Sequence, residues 1–374
     1  MGKNKKKLVV LIPTHWEAFM GGSQYQAKVL IEHLIPMQEF EIYYLARRIK
    51  QDFKPKGYEI YKIGDPKGVG KYGFFFDGWK LLKTLNELKP DVIYHQVGCA
   101  YTGIAAYYCQ KNNCNMVWHI ASDIDVQKWN KKITRNIVFR YIEKKMLEYG
   151  IRRAKYIVGQ TDYQGEQLEK NYGRTLSALV LNFHPFPKEI IDKSGPVTVV
   201  WIANFKRLKQ PQVFVKLARS FLDIPDVQFK MIGSPPQEED WRKDIMSEID
   251  ELNNLEYLGK LSQDEVNEQL AKSHILVNTS EYEGFSNTFI QAWMREVPVV
   301  GFNVNPDGVF DNNKLGCFSN GVYDTLVQQI KLLISDTSYR EEIAARVKAF
   351  SFEHYSENNI KAFVDLFRLP GKVD

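Results

Sequence analysis

The sequence lacks the features that mark membrane-spanning, secreted and zinc-binding proteins. It has no run of the roughly 18 apolar residues that a membrane-spanning helix needs, and its lysine-rich start leads directly into a short apolar strand that is unlike a signal peptide. The four cysteines, Cys99, Cys109, Cys114 and Cys317, form no CxxC pair and no zinc-type set with histidine. We therefore expect reduced, structural cysteines and a cytoplasmic protein.

Further absences narrow the function. The first predicted strand is not followed by a G-x-G-x-x-G loop, and no acidic residue is placed to hold a dinucleotide ribose, which disfavours a nicotinamide-dependent dehydrogenase. Internal repeats and low-complexity segments are also missing. The chain of 374 residues is 44% apolar and 25% charged, which is an ordinary globular composition, and it is long enough for two domains.

Strand and helix signals alternate in two successive blocks. The prolines and the Gly-Pro pair between Asn182 and Pro196 interrupt the alternation and predict a linker. We predict an N-terminal Rossmann-like domain over residues 1–190, joined by a C-terminal helix at about 355–374, and a second Rossmann-like domain over residues 195–354. Each is expected to be an α/β, doubly wound parallel sheet.

The stretch from His274 to Gly301 carries the strongest functional signal. Ile275–Val277 has the pattern of a buried strand, a polar turn with Glu283 follows, and a helix from about Thr288 to Arg295 leads to the next strand. Ligands of parallel α/β sheets bind outside the carboxyl ends of the strands. The turn is therefore a candidate ligand site.

Two other turns have a composition suited to anions. Lys206, Arg207 and Lys209 lie within four residues after a predicted strand, and arginine and lysine both bind diphosphates. Gly21 and Gly22 follow the first strand and precede a helix, where glycine permits close backbone approach to a phosphate. Each signal is weak when it is taken alone.

The segment Glu283-Gly284-Phe285, followed by an apolar helix and Pro298-Val299-Val300, resembles the E-x7-E segment of the family 4 retaining glycosyltransferases. These enzymes have the GT-B fold, in which two Rossmann-like domains face each other across a cleft. The resemblance implies that Glu283 contacts the transferred sugar, that the following backbone amides contact the diphosphate, and that the second motif position holds the ribose. That position is Gln291 here, an amide that can still bond two hydroxyls.

The resemblance extends from about residue 8 to the C-terminus and implies further contacts. Lys209 matches the pyrophosphate-binding lysine, whereas Asn204 replaces a frequent arginine and leaves Lys206 or Arg207 to supply the second charge. His119 matches a histidine that meets the donor sugar, although a lone histidine is more often structural. The resemblance implies catalytic roles for Glu283, His119 and Lys209. The implied donor-binding residues are Gly21, Gly22, Asn204, Lys206, Arg207, Gly233, Leu258, Ser286, Asn287, Thr288 and Gln291.

Asp123 and Asp125 spell D-x-D, the metal–nucleotide signature of the other large glycosyltransferase fold. The two-domain order argues against that fold. We therefore predict no obligatory metal or other cofactor, and we place both carboxylates on the acceptor side.

Residues 126–155 form a basic and aromatic segment, with ten lysines or arginines and two glutamates. Such a helix face suits an anionic lipid surface or an anionic substrate, and a solvated helix face is an equal alternative. The segment makes peripheral attachment to the inner face of the cell membrane one of the expectations.

The predicted function is a retaining glycosyltransferase of the hexosyltransferase class. It would move a sugar from a UDP- or GDP-sugar to a glycan or lipid-linked acceptor, in bacterial surface polysaccharide synthesis, with no nucleic acid partner. The alternatives are a nucleotide-sugar epimerase or a phosphorylase on the same fold, and a non-catalytic glycosyltransferase-like subunit.

Overall fold

The chain forms two units. The computed structural model describes residues 5–65, 67–129, 137–283 and 285–371. One unit comprises Met1–Phe183 with Glu357–Asp374, and the other comprises His184–Ser356. The first passage of the chain between the units thus falls within the interval that the sequence predicts as the linker.

The first unit is built on a parallel sheet. Its strands are β1 (Lys6–Leu11), β2 (Phe40–Ala46), β3 (Glu59–Lys62), β4 (Val92–Gln96), β5 (Asn115–His119), β6 (Tyr156–Gly159) and β7 (Ala178–Leu179). The helices between them are α1 (Gly22–Met37), α2 (Gly78–Leu88), α3 (Ala100–Lys111), α4 (Val138–Arg153) and α5 (Asp162–Tyr172). The strand order is β3-β2-β1-β4-β5-β6-β7. It reverses between β1 and β4, the switch point of a doubly wound sheet.

The central strands β4 and β5 are buried along their whole length, and β1 from Leu8 onward, because helices cover both faces of the sheet. Val9 and Leu11 of β1 pack on one face, in a cluster that includes Leu81 of α2. Leu8 and Val10 point to the other face, in a cluster with the α1 side chains. This arrangement explains why the sequence shows β1 as a continuous apolar run.

The second unit repeats this plan. Its strands are β8 (Val197–Ile202), β9 (Val227–Ile232), β10 (Leu255–Tyr257), β11 (Ile275–Asn278), β12 (Val299–Gly301) and β13 (Gly316–Phe318). Its helices are α6 (Pro211–Arg219), α7 (Glu239–Asp250), α8 (Gln263–Lys272), α9 (Asn287–Trp293), α10 (Val309–Asn312), α11 (Tyr323–Ser335) and α12 (Thr337–His354). All pairings are parallel, in the order β10-β9-β8-β11-β12-β13. The switch point lies between β8 and β11.

The C-terminal helix α13 (Ile360–Arg368) belongs to the first unit. The rings of Phe363 and Phe367 lie 5.4 and 5.9 Å from the ring of Tyr94 on β4. The Lys6 ammonium donates to the carbonyl oxygens of residues 368 and 369, at 2.8 Å each. These contacts hold the C-terminal helix against the sheet of the first unit, which contains the first strand of the chain.

The edge of the first sheet differs from what the sequence predicts. The sequence of Lys155–Thr161 predicts the last strand of the first sheet, but the two-residue strand β7 pairs beyond β6 at the edge. A strand of two residues has no periodicity to detect. The predicted basic segment is described only in part, because residues 130–136 lie outside the described ranges. Within those ranges, no helix has the combined length and apolar character that crossing a membrane requires.

We predict that acid destabilises the first unit through its buried histidines. Burial lowers the pKa of His15 and His95 to about 4 and that of His119 to about 3. These rings stay neutral in the folded state but gain a proton in the unfolded chain below its pKa of about 6.5, so stability is lost as pH falls from about 6.5 towards 4. Each histidine contributes up to about 1.4 kcal/mol per pH unit. Urea unfolding at pH 7 and pH 5 measures this loss.

His95→Gln supplies the comparison because glutamine does not titrate. The drop in unfolding free energy between pH 7 and pH 5 is expected to be smaller in this variant than in the parent chain. An equal drop in both proteins would contradict the conclusion that protonation of His95 in the unfolded chain contributes to the loss of stability in acid.

Candidate functional site

The carboxyl ends of β8 and β11 carry two polar loops of the second unit. The strands are neighbours, with Val199 opposite Ile275 and Val200 opposite Leu276. Residues 203–210 follow β8 and residues 279–286 follow β11, of which Gly284 lies outside the described residues. Because β8 and β11 flank the switch point, these loops have the position at which doubly wound sheets bind ligands.

Lys209 and Glu283 meet between these loops. The Lys209 ammonium lies 2.7 Å from Oε1 of Glu283, and the two side chains are 19% and 23% exposed. Asn278 Nδ2 and Ser280 Oγ donate to Oε2 of Glu283, at 3.1 and 3.2 Å. The carboxylate is therefore fixed by three donors while both charged groups remain open to solvent. The structure brings together two residues that the sequence selected separately.

A hydrogen-bonded chain from the sheet holds Lys209 in place. Trp201 Nε1 donates to the Thr279 hydroxyl at 2.8 Å, and that hydroxyl donates to the Lys209 carbonyl oxygen at 2.6 Å. The Glu281 amide donates to the Leu208 carbonyl at 2.8 Å. These contacts bind the two loops to each other through their backbones. Sequence reasoning missed them, although the polar run Asn278-Thr279-Ser280 after an apolar strand is a visible signal.

The other cations of the loop differ in their surroundings. Arg207 pairs with Glu238 at 2.8 Å, and its guanidinium lies 4.8 Å from the Trp241 ring centroid, so it is directed towards α7. Lys206 is exposed. Lys206 and Arg207, the two candidates for the second diphosphate-binding cation, are therefore both on the surface. Arg207 must leave an exposed ion pair to reach another anion.

Asn204 and Gly233 join the loops that follow β8 and β9. The Ser234 amide donates to Asn204 Oδ1 at 3.2 Å, and the Tyr257 hydroxyl donates to the Gly233 carbonyl at 2.8 Å. Gly233 has φ +150°, and a Cβ atom there would lie 1.8 Å from the Ala203 carbonyl oxygen. The Leu258 amide donates to the Met231 carbonyl at 2.9 Å. The turns that contain Gly233 and Leu258 are thus adjacent to the basic loop.

The residues around α9 form hydrogen bonds inside the second unit. The hydroxyls of Ser286 and Thr288 are 2.7 Å apart, and Asn287 Oδ1 lies 2.9 Å from His184 Nε2. Gln291 is only 3% exposed, and its Nε2 donates to Asn267 Oδ1 at 2.9 Å. A contact between Gln291 and a ribose stays a prediction, and it requires the amide to leave this buried bond.

Gly21 and Gly22 lie at the start of α1 in the first unit. Gly21 is the N-cap residue, and no acidic residue occurs in the first turn of this 16-residue helix. A Cβ atom at Gly21 would lie 2.7 Å from the end of the Gln24 side chain. The helix N-terminus thus carries its positive partial charge without an acidic side chain of its own first turn.

His119 lies in the core of the first unit. The side chain is buried, its Nδ1 lies 2.8 Å from the Tyr94 hydroxyl, and its ring centroid is 5.0 Å from that of Phe363. Its Nε2 is buried and finds no hydrogen-bond partner among the described residues. Burial lowers the pKa to about 3, which keeps the ring neutral. A ring enclosed by α13 cannot reach a ligand as it stands, so the site proposed below does not include it.

Asp123 and Asp125 fasten the turn after β5. Oδ2 of Asp125 accepts from the amides of Gly98, Ala121 and Ser122, at 3.2 Å each. Burial raises the pKa of Asp125 to about 6. Asp123 accepts from Gln164 Nε2 at 3.0 Å. Both carboxylates therefore have a structural role, whatever else they bind.

Several cationic side chains of helix α4 contact other groups of the first unit. Lys144 donates to the Asp125 carbonyl at 2.9 Å, and Lys145 pairs with Glu148 at 2.7 Å. The Arg153 guanidinium lies 3.9 Å from the Tyr149 ring centroid. The described part of the basic segment is therefore less free to meet an anion than its composition indicates.

Comparisons with known proteins identify the fold. Residues 196–336 match the family model described as Glycosyl transferases group 1. Sucrose-phosphate synthase from Thermosynechococcus elongatus superposes with a TM-score of 0.77, at 12% identity, over 97% of this chain and 98% of that one. The chain has the GT-B fold. This result confirms the fold class predicted from the sequence.

Other GT-B structures and one relative are also similar. HepE from Anabaena, in complex with UDP-glucose, has a TM-score of 0.71 and 14% identity over 96% of this chain and 98% of its own. Glycosyltransferase 1 domain-containing protein 1 from Xenopus tropicalis is 22% identical over 166 residues, which are 44% of this chain and 48% of that protein. The match thus spans about half the length of that relative. In this GT-B chain, the matched family segment contains both loops of the Lys209–Glu283 contact.

We predict that Gly233→Ala destabilises the second unit of this GT-B chain by more than about 1 kcal/mol, because it adds a steric clash to a backbone conformation that alanine rarely adopts. Gly195→Ala is the matched control, since a Cβ atom there meets nothing within 4 Å. Thermal unfolding of both variants tests the prediction. Equal melting temperatures of the two variants would show that position 233 has room for a methyl group beside the Ala203 carbonyl in solution.

Proposed function

We propose that the chain is a retaining glycosyltransferase that takes its sugar from a nucleoside-diphosphate donor. The observation that carries this proposal is the Lys209–Glu283 contact at the switch point of the second sheet. It unites a diphosphate-binding cation with a sugar-binding carboxylate inside the segment that matches the Glycosyl transferases group 1 model.

Lys209 binds the diphosphate in this proposal. Breaking the glycosidic bond of the donor leaves negative charge on the departing nucleoside diphosphate, and a fixed cation lowers the energy of that state. The bond from Thr279 to the Lys209 carbonyl supports such preorganisation. Lys206, which is exposed, supplies a second cation with less rearrangement than Arg207.

Glu283 binds the hydroxyls of the transferred sugar. Its carboxylate accepts from Asn278, Ser280 and Lys209, so it is oriented before a donor arrives. When the diphosphate attracts Lys209, Oε1 of Glu283 becomes available to a sugar hydroxyl. Retention follows if the acceptor attacks the donor from the face that the diphosphate leaves, which requires no protein nucleophile.

The proposed donor is a UDP-sugar, with a GDP-sugar as the second choice. HepE is similar to this chain over its whole length and was solved with UDP-glucose. The proposed acceptor is a glycan or lipid-linked intermediate of surface polysaccharide synthesis, which makes the enzyme a hexosyltransferase that works at the inner face of a membrane. Metal is not required, because the basic loop supplies the positive charge.

The nucleotide screen is the first test. UDP, GDP, ADP and CMP, with their common sugar conjugates, are added to the purified chain and the melting temperature is measured. A ligand at one hundred times its dissociation constant adds about 2.7 kcal/mol to the stability of the folded state. We expect a shift with the uridine compounds that is lost in Lys209→Ala and kept in Lys331→Ala, an exposed lysine on α11.

Product analysis separates the proposed enzyme from its alternatives. Release of UDP with a glycoside that keeps the anomeric configuration of the donor supports the proposal. An epimeric nucleotide sugar without released UDP would indicate an epimerase. Nucleotide binding without any turnover would indicate a non-catalytic subunit, and no shift with any nucleotide would contradict the donor site itself.

A further inference from the structure

Residues 67–80 of the first unit expose large apolar side chains to solvent. Val69, Tyr72 and Phe76 are exposed, and Trp79 at the start of α2 is 84% exposed. Tryptophan is costly to leave in water and is enriched where a membrane meets water. Four such residues within one short segment form an apolar surface rather than scattered positions.

The same segment is positively charged. Lys67, Lys71 and Lys80 are exposed. Its one carboxylate, Asp77, is buried and pairs with the buried Arg47, whose Nε lies 2.5 Å away. The negative charge is therefore neutralised internally, and the exposed charge of residues 67–80 comes from the three lysines.

Arg47 also holds the segment rigidly. Its NH1 and NH2 groups donate to the carbonyls of Gly70 and Gly73, at 2.8 and 2.5 Å, and its guanidinium lies 4.3 Å from the centroid of Phe74. The Tyr101 hydroxyl donates to the Asp77 carboxylate. The apolar side chains are thus presented on an ordered backbone that the interior of the unit supports.

The exposed surface continues onto α4. The Phe139 ring centroid lies 5.4 Å from that of Tyr72 and 5.8 Å from that of Phe76. Beside this cluster is a hollow of about 740 Å³, within the size range of ligand sites. Its walls include Phe75, Gly78, Leu82, Ile104, Tyr141 and Met146. Apolar surface therefore continues from residues 67–80 onto α4.

We propose that residues 67–80, with Phe139 and this hollow, form the face on which the chain docks to an anionic lipid bilayer. Lysine is depleted in the core of protein interfaces but favoured beside anionic lipids, where each lysine adds about 1 kcal/mol. Exposed aromatic rings among lysines therefore complement a bilayer better than a soluble protein. The inference rests on the proposed function, since a lipid-linked acceptor is what brings the chain to a membrane. On the sequence alone a membrane contact is expected from the basic residues 126–155, whereas this inference assigns it mainly to residues 67–80 beside α4.

Flotation with vesicles tests the docking face on the intact chain. Vesicles of phosphatidylcholine alone are compared with vesicles that also contain phosphatidylglycerol, at low and high salt. We expect binding to the anionic vesicles that weakens with salt and falls about fivefold for each alanine placed at Lys71 or Lys80. Trp79→Ala is expected to lower binding at both salt concentrations, because its contribution is not screened.

Matched controls keep the result specific. Ile190 of the second unit is 88% exposed, so Ile190→Ala removes an equally accessible apolar side chain elsewhere, and Lys331→Ala removes an equally exposed charge. Both are expected to bind vesicles like the parent chain. Equal effects of Trp79→Ala and Ile190→Ala, or no flotation with anionic vesicles, would overturn the proposal. So would self-association that Trp79→Ala abolishes, since a second copy would then cover the face.

The nucleotide shift, measured on the same proteins, separates this proposal from the proposed function. Trp79→Ala is expected to keep the shift of the parent chain. A parent chain that shows the nucleotide shift but does not float with anionic vesicles would overturn the docking face alone, whereas a parent chain that floats but shows no nucleotide shift would overturn the donor site.

Discussion

The ion pair between Lys209 and Glu283 is the contact on which the proposed donor site of the second unit depends. It joins the loops after β8 and β11, the two strands between which the sheet reverses its order. Partly exposed ion pairs add little to stability, about 0–1 kcal/mol, so the pair is poorly explained as a stabilising element. Its value lies in the position of the two opposite charges. A phosphate of a ligand can take the place of Glu283 beside Lys209, and a hydroxyl of the ligand can take the place of Lys209 beside Glu283.

The hydrogen bonds behind this pair are buried or partly buried, in contrast to the more accessible pair itself. Trp201, Thr279 and the Lys209 carbonyl form a chain inside the unit, and each bond fixes a group that would be costly to leave unpaired. A rigid support beneath two accessible charged groups is the arrangement that preorganised binding needs. The predicted polar residues of the first unit differ, because His119 is enclosed and the carboxylate of Asp125 serves backbone amides.

Much of the fold was predictable because parallel sheets produce simple patterns. Residues 8–11 of β1 and 275–277 of β11 are continuous apolar runs, and α5 begins after the capping Thr161 and ends at Gly173, signals that the sequence displays directly. Helix α7 and the edge strands β7 and β13 were not predicted. A short edge strand buries too few residues to impose periodicity, and the charged sequence of α7 shows only a narrow apolar side.

The candidate site was predictable to the level of residue type but not of contact. Glu283 and Lys209 were selected from separate turns, and only the sheet order explains why they meet. Sequence could not reveal that Gln291 and His119 are buried, because both depend on elements distant in the chain, Asn267 on α8 and Phe363 on α13. The exposure of Trp79 was equally invisible, since an apolar residue in an amphipathic helix is usually assigned to the core.

Titration calorimetry of Glu283→Gln with UDP, or with whichever diphosphate the chain prefers, tests the central claim most directly. The claim is that Glu283 forms an ion pair with Lys209 until the diphosphate replaces Glu283 as the partner of Lys209. The account predicts that the variant binds the free diphosphate as tightly as the parent chain or up to about fivefold more tightly, because the competing ion pair is worth at most about 1 kcal/mol, while consumption of the nucleotide sugar falls. Weaker binding of the free diphosphate to Glu283→Gln would contradict the account.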